Sequence, residues 1–260
     1  MITNSFEQRK MRKIEQVDTI PLVLQMLITM GVAEVIDNHC LQDENYQGLS
    51  IGWLMTILLV YVSVEWNDNW AYMAEWVSDH RYTLECLSGQ RMEEDDFSVA
   101  RLEYALHYLN DKTVWSKIER ELEDRIIQNQ YSMKRPFSYF KRKTRNMLSP
   151  RILQDDCNTS LILLLAILSR AESIIEFVVR RALAANEETL DHIYDGNPKR
   201  KTARPSIGLI LHTFRYIYLD IHYDQKGQVV KRYLTPLNQT QLRILELSGF
   251  SEDILPALTE

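Results

Sequence analysis

The chain has 260 residues, of which 45% are hydrophobic and 25% charged, and its formal net charge is −6. This composition is typical of a globular protein with one or two packed cores, and it excludes a disordered chain. The three cysteines are odd in number and lack C-x-x-C spacing, which argues against a disulfide framework and favours a reducing cytoplasm. The N-terminal segment has no long apolar run, so no signal peptide is expected.

The first part of the chain shows the apolar spacing of helices. Residues 20–40 predict two short helices that meet at a turn at Gly31. Ser50 is placed to cap an apolar helix that begins at Ile51. The uncharged segment 45–64 contains this helix, but it is short for a membrane span and lacks Lys/Arg flanks. A buried core helix is therefore predicted here, with a membrane segment as the alternative.

Two amphipathic stripes and a capped helix follow. The first stripe predicts a core-facing helix and consists of Trp66, Trp70, Met73 and Val77. Ser98 is expected to cap a helix that continues through Leu109. The second stripe belongs to a predicted helix over residues 114–130 and consists of Trp115, Ile118, Leu122 and Ile126. We expect this stripe to be covered by the C-terminal part of the chain or by a second chain, which predicts a dimer.

The C-terminal half contains the only convincing strand signal. Asp155 and Asp156 favour the start of a long helix that would reach about Ala185. Strand-like runs at residues 216–223 and 229–234 flank a turn and predict one hairpin. A final helix is stopped by Gly249. The predicted fold class is therefore mainly α, with a helical N-terminal domain and a helical C-terminal part that carries one β-hairpin.

Motifs for catalysis or metal binding are weak. The sequence has no glycine-rich phosphate loop, G-x-S-x-G or H-E-x-x-H motif. The only residues weighed as metal ligands match no ligand spacing; they are His39, Cys40, His80 and Cys86. Glu172, Glu176 and Arg180 lie one helical turn apart and favour a solvated ladder over a catalytic carboxylate pair. We predict no catalytic residue, no metal site and no cofactor.

Positive charge is concentrated in two places. The first, here called the basic island, consists of Lys134, Arg135, Lys141, Arg142, Lys143, Arg145 and Arg151. The second lies in the loop that precedes Pro205, here called the basic loop, and its cations are Lys199, Arg200, Lys201 and Arg204. Cations interleaved with aromatic side chains such as Phe137 and Phe140 suit a nucleic-acid backbone. The alternative is a solvated charged surface without a ligand.

The order of several segments resembles one protein family. Residues 20–39, GLSIGWLMTILLVYVS (48–63), AEWVSD (74–79) and DFSVARLEYALHYLND (96–111) resemble the N-terminal helical domain of DDE-type bacterial insertion-sequence transposases. KRPFSYFK (134–141), residues 161–183, NPKRKTARPSIG (197–208) and LNQTQLRILELSG (237–249) resemble the C-terminal part of the same family. The resemblance implies an N-terminal domain over 1–113, a junction helix over 114–133 and a C-terminal region over 134–260.

The chain departs from the family where catalysis would occur. Family members place a ribonuclease-H-like core between these two parts, with three carboxylates that hold two metal ions. Only residues 112–133 lie between the matched segments here, whereas such a core needs upwards of about 55 residues.

The third carboxylate is also absent in both possible registers. Aligning FSYFK on the family's Tyr, Arg, Glu and Lys spacing gives Ile127, Gln130, Lys134 and Lys141, and a register that starts at Tyr131 gives Lys134, Ser138 and Arg145. Lysine in place of glutamate would repel Mg²⁺.

The resemblance implies a catalytically inactive, transposase-derived DNA-binding protein of the cytoplasm that regulates or competes with a full-length transposase. Its expected partners are DNA, with transposon-end sequences as candidates, and a second copy or a full-length transposase as the dimer partner; no membrane is expected. The alternatives are a protein interaction module that binds no DNA, a transposase component active in transposition, and a deletion remnant without a function.

Overall fold

The computed structural model describes residues 12–40, 48–65, 70–129, 158–250 and 258. Over these residues the fold is mainly helical with one three-stranded antiparallel sheet, which confirms the predicted fold class. The strands are β1 (Arg12–Gln16), β2 (Tyr218–Tyr223) and β3 (Val229–Leu234). The α-helices are α1 (Ile20–Thr29), α2 (Val32–His39), α3 (Ile51–Glu65), α4 (Met73–Asp79), α5 (Arg81–Ser88), α6 (Val99–Tyr108), α7 (Lys112–Gln128), α8 (Asn158–Ala185), α9 (Ile207–Thr213) and α10 (Gln239–Leu247).

The apolar helices form where the sequence predicts them. Helices α1 and α2 are separated at Gly31, whose φ of 70° lies in the left-handed region that glycine tolerates. Helix α3 begins at Ile51, and the Ser50 hydroxyl oxygen accepts a hydrogen bond from the Trp53 amide at 3.2 Å. Most of α3 is buried, as predicted for a core helix. Within the described residues no single helix has the length and apolar composition to cross a membrane; α1 and α2 meet that test only as a pair, bent by 49°.

The first amphipathic stripe does not form one helix. A 3₁₀ turn over Trp70–Tyr72 precedes α4, so the predicted continuous helix is interrupted, and Trp66 lies outside the described residues. Met73 and Val77 are buried as predicted. Trp76 is also buried, because its indole N–H donates to Glu65 at 3.1 Å and its ring packs edge-on against Tyr61 at 5.4 Å.

The second stripe is covered within the chain. All four of its side chains on α7 are at most 3% exposed. Helix α7 packs against α2, where Arg125 donates two hydrogen bonds of 2.8 Å to the Glu34 carboxylate and Glu121 lies 2.8 Å from the His39 ring. The stripe therefore gives no support for the dimer, which stays a prediction.

Contacts divide the chain into two units. The first, here called the sheet unit, takes its described residues from Met1–Leu22, Asp79–Gln90 and Val178–Glu260. The second, here called the helical unit, takes them from Val23–Ser78 and Arg91–Phe177. The boundaries implied by the family resemblance follow the linear sequence and stay a prediction.

The sheet unit contains the predicted hairpin and a strand that the sequence did not predict. Strand β2 is central. Its antiparallel pairing with β3 confirms the predicted hairpin, and its antiparallel pairing with β1 adds a third strand. The sequence does not predict β1 because the usual alternation of buried apolar and exposed polar side chains is reversed in this strand. Ile14 is 55% exposed, whereas Glu15 is 1% exposed.

Glu15 is buried because its carboxylate meets the N-terminus of α5. The carboxylate accepts hydrogen bonds from the amides of Tyr82 at 3.1 Å and Thr83 at 2.8 Å, and from the Lys13 ammonium at 2.8 Å. The amides at the N-terminus of a helix have no hydrogen-bond acceptor within the helix and carry partial positive charge. A carboxylate accepts hydrogen bonds from these amides and its negative charge is attracted to them. This contact ties β1 to α5 inside the sheet unit.

The helical unit contains a close helix crossing at Gly52. A Cβ atom at this position would lie 2.0 Å from the carbonyl oxygen of Ala33 in α2. Asp37 of α2 fixes the crossing, since its carboxylate accepts from the Gly52 amide at 2.7 Å and from the Ser50 hydroxyl at 2.6 Å. Glycine is therefore required here by the approach of a neighbouring backbone.

We expect Gly52→Ala to lower the free energy of unfolding by about 3 kcal/mol, the upper end of the usual range for overpacking, because the backbone of α2 has to move to admit the methyl group. Urea denaturation followed by circular dichroism measures the change. Gly208→Ala is the matched control, since its Cβ would meet nothing within 4 Å and alanine favours a helix by up to about 1 kcal/mol. Equal stability of the two variants would contradict the crossing.

We expect Glu15→Ala to destabilise the protein by about 2–4 kcal/mol, because it leaves two amides of α5 without an acceptor. Glu15→Gln keeps one carbonyl acceptor and should lose less. Gln16→Ala, at the exposed neighbouring position, should change stability by less than about 0.5 kcal/mol. The same urea experiment decides, and a Glu15→Ala protein as stable as Gln16→Ala would show that the capping contact is unimportant.

Candidate nucleic-acid interface

The predicted DNA-binding residues fall into two groups in the structure. The seven cations of the basic island lie outside the described residues, so their prediction stays untested. The four cations of the basic loop belong to the sheet unit and are all exposed.

The basic loop is closed at its base by an isolated antiparallel bridge. The amide of Leu190 donates to the carbonyl of Thr202 and the amide of Thr202 donates to the carbonyl of Leu190, both at 2.9 Å. Leu190, Ile193 and Pro205 are buried and anchor the loop from beneath. The two ends of the loop are thus held together while its tip stays in solvent.

Two successive turns shape the tip. The amide of Asn197 donates to the carbonyl of Tyr194 at 3.2 Å, and the amide of Arg200 donates to the carbonyl of Asn197 at 3.1 Å. Gly196 supplies the left-handed conformation that the first turn needs, with a φ of 71°. These turns fix the backbone of the tip, from which the side chains of the cations extend.

The four cations differ in their surroundings. The Arg200 guanidinium lies 4.0 Å from the centroid of the Tyr194 ring, a cation–π contact that holds it flat against the loop. Lys201 lies 3.4 Å from a carboxylate oxygen of Asp191. Among the described residues, neither Lys199 nor Arg204 forms an ion pair. These two are the cations with the most freedom to take a phosphate.

The second carboxylate of the loop is also occupied. The Asp195 carboxylate lies 3.1 Å from Nε2 of His212. Since Asp191 faces Lys201, the loop presents four cations against two carboxylates that already have partners. Its surface is therefore locally positive although the chain as a whole is negative.

Arg180 of α8 holds the end of the basic loop. Its Nε donates to the carbonyl of Pro205 at 2.8 Å, a contact that the interpretation of Arg180 as part of a solvated ladder did not include. Directly after this point the Ser206 hydroxyl accepts from the Leu209 amide at 3.4 Å and caps α9. The end of the basic loop is thus held by a side chain of α8 and leads directly into α9.

Tyr194 and Arg180 shape the basic loop, and the sequence analysis assigns neither residue to it. The sequence does carry a signal for Tyr194, because an aromatic residue among cations is the same pattern that predicts nucleic-acid binding for the basic island. Arg180 had no comparable signal, since its partner is a backbone carbonyl 25 positions away.

The residues weighed as metal ligands have other surroundings. His39 lies 2.8 Å from Glu121, and burial raises the pKa of Cys40 to about 12. Burial also raises the pKa of Cys86. Across the part of the chain that the structure describes, no three side chains of His, Cys, Asp or Glu are grouped so that they could hold a metal ion.

Comparison of the chain with protein-family models, with curated proteins and with solved structures gives no match. The resemblance to insertion-sequence transposases is therefore a proposal that rests on the quoted segments alone.

We expect Arg180→Ala to loosen the basic loop. It removes a charged hydrogen bond to a buried carbonyl, which is worth about 1.5–3 kcal/mol, so tryptic cleavage after Lys199, Arg200 or Lys201 should accelerate roughly tenfold or more. Mass spectrometry of a limited digest follows each site. Arg215→Ala, at an exposed arginine elsewhere in the sheet unit, should leave these rates unchanged. Identical digests for both variants would show that Arg180 does not restrain the loop.

Proposed function

We propose that this protein binds DNA through the basic loop and the basic island, that it is derived from an insertion-sequence transposase without catalytic activity, and that it regulates or competes with a full-length relative. One observation carries the DNA-binding part. The basic loop is a closed, anchored surface on which two cations have no carboxylate partner among the described residues. The resemblance carries the rest.

The chemistry of the loop fits phosphate better than a protein carboxylate. Lys199 and Arg204 are exposed donors. The turns and the bridge fix the backbone of Lys199, and the Arg204 amide donates to the Thr202 hydroxyl at 3.0 Å, so little backbone entropy is lost when they bind. Arg200 remains planar on Tyr194 and can still offer guanidinium N–H groups to a phosphate oxygen. None of these contacts selects a base, so the loop is expected to position DNA rather than specify its sequence.

The charge balance of the protein limits how it can bind. A net charge of −6 repels DNA at long range, so attraction has to come from local surfaces. The basic island supplies seven cations without an acidic residue between its first and last members. If about five of them contact phosphates, each neutralised phosphate releases counterions and the affinity becomes strongly salt dependent.

We expect the association constant for duplex DNA to fall with salt, with a slope of about −4.5 in its logarithm against log salt, which is roughly 500-fold between about 50 and 200 mM. Fluorescence anisotropy with a labelled duplex measures this slope. Replacing Lys141, Arg142 and Lys143 with Gln should flatten it by up to about three units. Lys199→Gln combined with Arg204→Gln should flatten it by a smaller amount, up to about two units.

The matched control removes the same charge elsewhere. Lys112→Gln combined with Lys117→Gln takes two exposed cations from α7 of the helical unit and should leave the slope unchanged. Absence of duplex binding at about 50 mM salt, or binding that ignores both sets of substitutions, would contradict the proposal. The interaction module without DNA would then become the better hypothesis.

A further inference from the structure

The sheet unit presents a second surface, the outer face of its sheet. Side chains alternate between the two faces of a strand, and Glu15, Leu219 and Ile221 take the inner face. The strand pairings then place eight residues on the outer face, which are Arg12, Ile14, Gln16, Tyr218, Asp220, His222, Lys231 and Tyr233. This outer face is defined by β1 as much as by the hairpin.

An open groove of about 530 Å³ lies on the outer face. Its walls include three large side chains with substantial exposure, namely Ile14 at 55%, Tyr218 at 39% and Tyr233 at 53%. Tyrosine rings in an open groove offer flat apolar faces that a planar ligand can cover. The volume is in the range of small-ligand sites.

Among the described residues that line the groove, Asp220 carries the only carboxylate, and this carboxylate is already neutralised. Arg12 donates to both oxygens of Asp220, at 2.8 and 2.7 Å, and this hydrogen-bonded pair lowers the pKa of Asp220. His222 lies 3.3 Å from the same carboxylate. An acidic ligand would therefore not meet an unpaired carboxylate in the groove.

Lys231 leaves the outer face with a net positive charge. Its ammonium lies 5.9 Å from the centroid of the Tyr233 ring, and among the described residues it forms no ion pair. The His222 ring also contacts Tyr233 in an edge-on arrangement, with the two ring centroids 5.6 Å apart. The face thus combines exposed tyrosine rings with an uncompensated cation beside one of them.

A strained corner holds a third exposed tyrosine next to β2. Tyr216 is 70% exposed and has a φ of 66°, a left-handed conformation that costs a bulky residue about 1–3 kcal/mol. Asp18 fixes this corner, because its carboxylate accepts from the Ile217 amide at 3.0 Å and its own φ is 39°. Such strain persists where the surrounding structure enforces it, and it marks candidate functional sites.

We propose that the outer face of the sheet binds single-stranded nucleic acid, with Tyr218 and Tyr233 stacking on bases and Lys231 contacting phosphate. Charge complementarity and the flat tyrosine rings favour this ligand over a neutral peptide. Stacking on aromatic side chains tolerates any base sequence and needs unpaired bases, which a duplex does not offer. The site goes beyond the proposed function, because that function uses cations of the basic loop and island on duplex phosphates.

The test uses the full chain and labelled oligonucleotides of about twelve nucleotides in three forms, which are single-stranded DNA, single-stranded RNA and duplex DNA. We expect single strands to bind, and Tyr218→Ala and Tyr233→Ala each to weaken that binding roughly 5- to 150-fold, the range for one lost base stack. Tyr218→Phe and Tyr233→Phe keep the ring and should stay within about twofold of the wild type. Tyr104→Ala, at a 60% exposed tyrosine of α6, is the matched control.

The outcomes separate this site from the basic loop. Lys199→Gln combined with Arg204→Gln should weaken duplex binding and leave the tyrosine dependence of single-strand binding intact. Failure of duplex binding with retained, tyrosine-dependent single-strand binding sinks only the proposed function. Single-strand binding that is absent, or that Tyr233→Ala leaves unchanged, overturns the outer-face site. A wild-type dimer that Tyr233→Ala converts to a monomer in sedimentation, without oligonucleotide binding, also overturns it and assigns the face to a second copy.

Discussion

The buried carboxylate of Glu15 is the contact on which the sheet unit depends. A charged side chain is stable inside a protein only when its hydrogen bonds are replaced, and here the amides of Tyr82 and Thr83 and the ammonium of Lys13 replace them. Because Glu15 points inward, the side chains at the alternate positions of β1 must point outward; these are Arg12, Ile14 and Gln16. The composition of the outer face therefore follows from an acid on the inner one.

Helices were easier to predict from the sequence than the sheet, and the reason is local. The cap of α10 uses only residues three apart, with Asn238 accepting from the Gln241 amide at 2.9 Å and Gln241 accepting from the Asn238 amide at 2.8 Å. β1 pairs with residues about two hundred positions away, and the acid that decides its orientation is satisfied by α5. The sequence marks the cations of the basic loop as candidate DNA contacts. The bridge between Leu190 and Thr202 and the contact of Arg200 with Tyr194 depend on the folded chain, so the sequence does not predict them.

The basic loop and the outer face both belong to the sheet unit, but they would bind nucleic acid through different interactions. The basic loop offers charge on a fixed backbone, so its affinity should depend on salt and little on base identity. The outer face offers rings beside one cation, so its own contribution to the salt slope should be less than about one unit. The helical unit has a different character, since its described contacts at Gly52, Asp37 and Arg125 all join helix to helix.

The bridge between Leu190 and Thr202 fixes the two ends of the basic loop. The number of residues between these ends can therefore change with little effect on the stability of the buried residues below the loop. When the ends of a loop are fixed, doubling the number of residues between them costs only about 0.6 kcal/mol of closure entropy. A Cβ at Gly196, near the tip, would meet nothing within 4 Å, so added residues would extend into solvent. Lysines inserted there would each add up to about one unit to the salt slope without disturbing a core. The loop is accordingly the place where the affinity of this protein for a polyanion could change most readily during evolution.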